Sequence, residues 1–380
     1  MRIVQITTDS REHYKDYQRA EPYFGTAPQG LLDGFTEWPD AEIHVISCSH
    51  VAARAPEKLA ANIWFHQPVV GKWGWGRTLF AGSIKAVRGL VREIKPDIVH
   101  GQGTERDCAM AAVLSGHPNI LTIHGNMRVH AKRGENRGAT YYKMAAALEG
   151  FCLKRTDGVV AISRYTEDLV KGIAPRTWYL PNAVDRRYFS VQATPATRPR
   201  ILCVGFICER KNQIGLIKAC EPMLRSGECT IAFAGLGNPQ SAYGREFNEL
   251  LQTVPGLELL GLLDRDALGD EFRRTSILVL PTFEDNCPMV VLEGMAAGLP
   301  VAASRVGGVP DLITHGLDGV MFDPHDLENM RSCLEGLVRD PATGARLGTQ
   351  GRITAMERFH PKVIAGEHLK IYQEVLALTR

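Results

Sequence analysis

No run in the 380 residues approaches the roughly 20 consecutive apolar residues of a membrane-spanning helix. The opening MRIVQITTDS is too short and too polar for a secretory signal, and it alternates like a strand. Net charge is almost missing: 44 Lys and Arg against 42 Asp and Glu leave +2. That balance argues against nucleic acid as the main partner, although a local basic patch stays open. Cysteine never occurs as CxxC or at paired metal spacing. The nine cysteines are scattered, odd in number and mostly inside apolar runs, which reads as reduced, buried thiols of a cytoplasmic protein. There is no internal repeat and no low-complexity tract. No GxGxxG follows the first apolar run at 3–7, which sets aside a plain dinucleotide dehydrogenase. No Asp-x-Asp pair stands at a convincing strand end, so neither a metal nor a cofactor is expected.

What is present is regular alternation. The chain exceeds the size at which one core keeps growing, so two domains are expected. Strand-like runs at 3–7, 43–47, 98–100, 120–123 and 159–162 are interleaved with helical patterns. Between the second and third, Phe80, Ile84, Val87, Val91 and Ile94 recur at steps of three and four, and the helix stops at Lys95-Pro96. After the polar, proline-bearing stretch 191–199 the alternation restarts at 201–204, 230–234, 257–260, 277–280, 301–303 and 320–322. A helical pattern at 362–378 closes the chain. The reading is α/β: an N-terminal domain 1–190, a linker 191–199 and a C-terminal domain 200–361, each a parallel, doubly wound sheet.

The most informative stretch is 281–312, PTFEDNCPMVVLEGMAAGLPVAASRVGGVPDL. Asp285 lies eight positions before Glu293, and Pro288 opens an apolar helical run between them. A helix N-terminus carries unpaired N–H groups and the positive end of a dipole, so it attracts phosphate. Carboxylates beside it can accept hydrogen bonds from sugar hydroxyls, and that combination suits a nucleotide sugar. Other strand ends lead to the same kind of place: Gly205 followed by Phe206 to Asn212, Gly235-Leu236-Gly237-Asn238-Pro239, and Gly261-Leu262-Leu263.

In this order and at these spacings the motifs resemble the retaining glycosyltransferases of the GT-B fold, glycosyltransferase family 4. The resemblance runs through PNAVD at 181–185, the Val204-Gly205 pair with Lys211, GLGNP, the acidic pair, MAAGLPVAAS and GGVPDLI. It implies two Rossmann-like domains facing a cleft, with the final helix crossing back to the first domain. It implies a nucleotide-diphosphate-sugar donor held by the C-terminal domain and a hydroxyl acceptor (glycan, lipid-linked or small molecule) on the N-terminal one. Carried over by position, Lys211 reaches the diphosphate, Glu293 the ribose hydroxyls and Asp285 the transferred sugar. Backbone N–H groups at Met289 and Val290 contact phosphate, the chain at Gly261-Leu262 meets the base, and His124 faces the sugar. Gly205, Gly235 and Gly237 line the donor site. Two departures stand out: Phe206 occupies the usual place of an arginine after the VG pair, with Arg210 the nearest substitute. Asp285 stands where a glutamate is usual, with Glu284 one position earlier.

Each of these has a plainer alternative. Glu293 could cap a helix, Lys211 could be a solvated side chain, and His124, like His100, could simply bond to backbone at a strand end. Gly307-Gly308 could be a turn alone. The basic stretch 128–137, including Arg128, reads as a solvated loop or as an acceptor-side patch for an anionic lipid or phosphorylated glycan. Trp73 and Trp75, among glycines, read as buried, sugar-stacking or membrane-touching. Gly25 and Thr26 begin a loop, 25–30, expected to be flexible and acceptor-facing. Two other functions stay open on the same fold: a nucleotide-sugar epimerase and a non-catalytic scaffold subunit. The expected location is the cytoplasm, with peripheral contact to the inner membrane face as an alternative.

Overall fold

The computed structural model describes residues 1–133, 139–194 and 197–379. The chain divides into two compact units, one of Met1–Ala183 with Pro361–Arg380 and one of Val184–His360. The division falls ahead of the stretch 191–199 that composition marks as a linker. There Val191 is buried within the second unit, Arg352 donates to its carbonyl, and the Thr194 amide bonds to the Arg273 carbonyl. Polar, proline-bearing composition is shared by linkers and by coil laid across a surface, so it cannot tell them apart.

The strands of the first unit are β1 (Arg2–Ile6), β2 (Glu42–Ile46), β3 (Lys58–Ala60), β4 (Ile63–His66), β5 (Ile98–Gln102), β6 (Asn119–Ile123), β7 (Gly158–Ala161) and β8 (Thr177–Tyr179). They form one sheet in the order β3-β4-β2-β1-β5-β6-β7-β8. Only the β3–β4 pair is antiparallel. Central strands such as β5 and β6 are buried along their whole length, as parallel strands covered on both faces must be. The helix Pro361–Thr379 belongs to this unit and packs on the helix Thr26–Phe35.

That second helix corrects the expectation of a flexible loop at 25–30. Gly25 stands at its N-cap with Thr26 first inside it. Pro28 sits in the first turn, where a missing N–H costs nothing because those donors are unpaired anyway. Leu31, Leu32 and Phe35 supply its buried face, so the glycines and proline that suggested a loop belong to a helix start and a close-packed side.

The second unit contributes β9 (Arg200–Val204), β10 (Thr230–Ala234), β11 (Leu257–Gly261), β12 (Ile277–Leu280), β13 (Val301–Ser304) and β14 (Val320–Phe322). All pairs are parallel, in the order β11-β10-β9-β12-β13-β14. Numbered within the unit this is 3-2-1-4-5-6, the dinucleotide-binding arrangement. Strand order reverses between β9 and β12, and in such sheets ligands settle beyond the carboxyl ends at that point. Among the described residues no helix is long and apolar enough to cross a membrane.

Candidate functional site

The switch point of the second unit gathers most of the residues singled out in the sequence. β9 runs into Gly205 and a short loop to Lys211, and β12 runs into the acidic segment 281–285. The two loops are stitched together. Phe283 N–H donates to the Arg210 carbonyl at 2.8 Å, Arg210 Nη1 donates to the Glu284 carbonyl at 2.9 Å, and Thr282 Oγ1 bonds both of those carbonyls. Arg210 is therefore tied to the neighbouring loop, although it remains exposed. Lys211 Nζ lies 2.5 Å from Asp285 Oδ2, with both side chains mostly buried. The other oxygen, Asp285 Oδ1, accepts from the Asn286 amide.

The backbone of Asp285 is held from behind. Gly308 N–H donates to the Asp285 carbonyl at 3.1 Å, and a Cβ on Gly307 would stand 1.9 Å from that oxygen. Gly307 also has φ +54°, so the GGVPDL motif exists to clasp the acidic loop. On the neighbouring strand, Gly235 has φ +155°, and a Cβ there would meet the Gly205 carbonyl at 2.0 Å. Glycine is needed for the ends of β9 and β10 to run this close. Gly237 bridges to Ile207 in the next step of the same ladder. Gly205, Gly235 and Gly261 are each followed by an exposed apolar side chain, Phe206, Leu236 and Leu262.

From the acidic segment the chain enters the helix Met289–Ala296. Its N-cap is Pro288, which makes no side-chain cap, and its first turn has no acidic residue. The residues Met289 and Val290, both half-buried, therefore open the helix with no acidic side chain in its first turn, which favours an anion there. One turn on, Glu293 is 5% exposed. Among the described residues, its carboxyl oxygens have no hydrogen bond. Burial pushes its pKa up to about 7, Asp185 adds to the rise and Arg265 opposes it. Asp185 and Arg265 lie 3.8 Å apart. Tyr188, fully buried with its ring against Phe272, has an Oη with no hydrogen-bond partner among the described residues. Sequence reasoning missed this surround of Glu293. Tyr188 lies three residues past the PNAVD motif, in the turn Arg186–Ser190, where no motif pointed to it.

His124 lies in the other unit, at the end of β6, where it begins a buried polar chain. Its Nε2 is 2.9 Å from Gln102 Oε1, an oxygen that only accepts, so Nε2 carries the proton. Gln102 Nε2 donates to Gln5 Oε1 at 3.0 Å, and Gln5 Nε2 donates to Tyr372 Oη at 2.7 Å. That hydroxyl stands 2.7 Å from His100 Nδ1, and His100 Nε2 stands 2.7 Å from Thr122 Oγ1. Every step follows from the one before, so the chain has a direction. His368 stacks on His100 with centroids 5.5 Å apart and donates from Nδ1 to the Ile364 carbonyl. Its Nε2 is buried with no hydrogen-bond partner among the described residues. A cavity of about 10 Å³ lies between His368, His124, Thr122 and Asn182, enough for one water. Burial, with His368 beside it, lowers the His124 pKa to about 4; burial does the same to His368, and His100 is held well below its ordinary value. The signal for this chain was the buried polar residues of two central strands, Gln5 in β1 and His100 and Gln102 in β5.

The remaining candidates are placed differently. Arg128 Nε pairs with the fully buried Glu149 at 3.2 Å and its Nη2 donates to the Leu169 carbonyl, which makes it a brace for the segment after β6. Residues 134–138 of the basic stretch lie outside the described residues. Trp75 is buried, with Nε1 donating to the Val70 carbonyl, whereas Trp73 stands in solvent.

With this geometry in place, comparison with known proteins is informative. Residues 37–188 match the family model described as Glycosyltransferase Family 4, and residues 198–340 match Glycosyl transferases group 1. Alpha-maltose-1-phosphate synthase of Mycolicibacterium smegmatis is 24% identical over 294 residues, spanning 70% of this chain and 76% of that protein. Sucrose-phosphate synthase of Thermosynechococcus elongatus superposes at a TM-score of 0.77 and 18% identity, covering 100% of both chains. Anabaena HepE, solved with UDP-glucose, superposes at 0.69 and 15% identity over 98% of this chain and 100% of that one. The solved structures share the two-sheet GT-B architecture, and the two family matches follow one another along most of the sequence. The chain belongs to the group 1, family 4 glycosyltransferases.

Proposed function

We propose that this glycosyltransferase moves a sugar from a nucleotide-diphosphate-sugar donor to a hydroxyl acceptor with retention at the anomeric carbon. One observation carries the reading. At the switch point of the second sheet a cation (Lys211), an uncapped helix start (Met289, Val290) and two carboxyl groups (Asp285, Glu293) come from adjoining segments. Lys211 and the helix amides take the diphosphate, where a flexible point charge and a dipole end suit a dispersed anion. Glu293 accepts from the ribose hydroxyls and Asp285 from the sugar. The base lies along Gly261-Leu262, and His124 is the first unit's own candidate for a sugar contact. HepE, a protein of the same fold, was solved with UDP-glucose, which makes that donor the first to try.

The chemistry asks little of an enzymic base. The bond from the anomeric carbon to the diphosphate oxygen breaks, and the acceptor oxygen bonds to the same face. The acceptor proton passes to the departing phosphate oxygen. The protein's task is to stabilise charge on that leaving group, and fixed donors aimed at it do so without reorganising. Acceptor identity, whether glycan, lipid-linked sugar or small molecule, is decided by the first unit.

The test is a panel of nucleotide sugars, starting with UDP-glucose, read by thermal shift and by release of nucleoside diphosphate. If none of them, and no free nucleoside diphosphate, raises the melting temperature, the donor assignment fails. An epimerised sugar formed from donor alone would replace transfer by epimerisation. Unchanged cellular products in Lys211→Ala and Glu293→Ala would favour a scaffold.

A further inference from the structure

We propose that the face of the first unit built from residues 69–79 and the helix Ala81–Ile94 rests on an anionic lipid surface. The first observation is an aromatic side chain with no folding task. Trp75 anchors this segment, its ring stacked on His50 at 4.3 Å. Two residues earlier Trp73 is 76% exposed. A tryptophan held in water by a well-anchored loop suits the headgroup level of a membrane, where one edge of the indole is wet and the rest is not.

The second observation is strain with an apolar side chain at its end. Leu79 and Phe80 both have left-handed backbone, φ +51° and +64°, a conformation that side chains with a Cβ disfavour. Phe80 is buried, but Leu79 is 50% exposed. Folding alone would favour glycine or asparagine at 79, since the leucine contributes little burial there. Beside it an open groove of about 470 Å³ is lined by Val69, Val70, Gly71, Trp73, Gly74 and the stem of Lys85, among others.

The third observation is charge. From Glu57 to Glu93 there is no intervening aspartate or glutamate, while Lys58, Lys72, Arg77, Lys85, Arg88 and Arg92 fall in that interval. Lys72, Lys85, Arg88 and Arg92 are exposed, and the last three lie on one stripe of the helix, at steps of three and four. Val87 and Val91 fill its buried stripe. Exposed cations above an apolar rim complement anionic headgroups over acyl chains. A sugar-stacking groove would instead set carboxylates or amides around the aromatic ring, and among the described residues no acidic or amide side chain lines this one.

Vesicle binding measured without nucleotide tests this independently of the transfer reaction. The wild-type protein should co-sediment with vesicles of phosphatidylcholine mixed with phosphatidylglycerol at low salt. It should be released at high salt and bind phosphatidylcholine alone only weakly. Lys72→Glu with Lys85→Glu should weaken binding about 25-fold or more, and Trp73→Ala about tenfold, both with unchanged melting temperature because these side chains are exposed. Leu79→Asn should weaken binding while raising the melting temperature, since asparagine tolerates the left-handed backbone. Wild-type protein that stays in solution with phosphatidylglycerol vesicles overturns the proposal. So do variants that bind like wild type, or an oligosaccharide that quenches Trp73 in a protein indifferent to lipid.

Discussion

The two units place their candidate groups in opposite electrostatic settings. Around His124 everything is neutral: glutamines, a tyrosine, a threonine and three histidines kept uncharged by burial. Around Lys211 and Glu293 the groups are ionic and partly open, with Lys211 against Asp285 and Arg265 near Asp185. A neutral, directed hydrogen-bond chain fixes geometry and is indifferent to what binds. A balanced set of ions is poised to exchange partners, because a diphosphate can take the lysine from the aspartate. The first unit holds His124 with neutral hydrogen bonds, and the second sets ionic groups side by side.

Breaking the ionic side should have the largest effect. Lys211→Ala removes the cation and leaves Asp285 without it, so kcat/KM should fall by about 10²–10³, or roughly 3–4 kcal/mol. Asp285→Asn should divide the two roles: nucleoside diphosphate binds as tightly as before or tighter, because Lys211 is released, while kcat falls. Calorimetry with nucleoside diphosphate beside steady-state kinetics separates these. Equal loss of binding in both variants would mean that the pair is only a structural brace.

Acid tests the neutral side. His368 ionises near pH 6.5 when unfolded and near pH 4 when folded, so between those values the unfolded state binds more protons. Stability is therefore complete above about pH 6.5, declines as pH falls through the window and levels off below about pH 4, a loss of up to about 3 kcal/mol from this residue. Melting temperatures of His368→Gln should fall less steeply over that range than those of the wild type.

Glu293 has the opposite sign, which sharpens the contrast. Its folded pKa, about 7, lies above the unfolded value, so its contribution is present below about pH 4.5 and is lost as pH rises through 7. Glu293→Gln should melt higher than wild type at pH 8. If ribose hydroxyls donate to the carboxylate, nucleoside diphosphate should bind about tenfold tighter at pH 8 than at pH 6, over and above the ligand's own titration. The Gln variant, measured alongside, should lose that extra dependence. A pH profile identical in the two proteins would remove Glu293 from the ribose.

The same contrast explains what could be read from the sequence. All six strands of the second unit and the five central strands of the first were visible as apolar runs. The three that were not, β3, β4 and β8, lie at the edges of the first sheet. They are three or four residues long and only partly buried, and a half-covered edge needs no continuous apolar run. The second unit's site was legible because its parts are local: a glycine at a strand end, a lysine six residues on, an acid beside a helix start. The chain beneath His124 was not, because it joins Gln5, Gln102 and Tyr372 across more than 350 residues of separation. Tyr372, read for its period, counts as an apolar residue of the last helix. Only the fold reveals that its hydroxyl joins this buried hydrogen-bond chain.

Phe206 yields the smallest effect and the finest test of the comparison. It stands 56% exposed at the end of β9, where the resembling enzymes carry an arginine, and its neighbour Arg210 is engaged with Glu284. The end of β9 therefore offers an apolar side chain where a cation is usual, and the nearby Lys211 is already paired with Asp285. Phe206→Arg adds a charge at a solvated strand end, which should tighten nucleoside diphosphate binding by about 0.5–1 kcal/mol. Because the position is exposed, the gain should shrink as salt is raised toward 1 M. Folding stability should barely move, since an exposed ring is exchanged for an exposed chain. If the Phe206→Arg variant instead binds more weakly at every ionic strength, the phenylalanine face is itself part of the ligand contact, and the second unit recognises its ligand by an apolar surface as well as by charge.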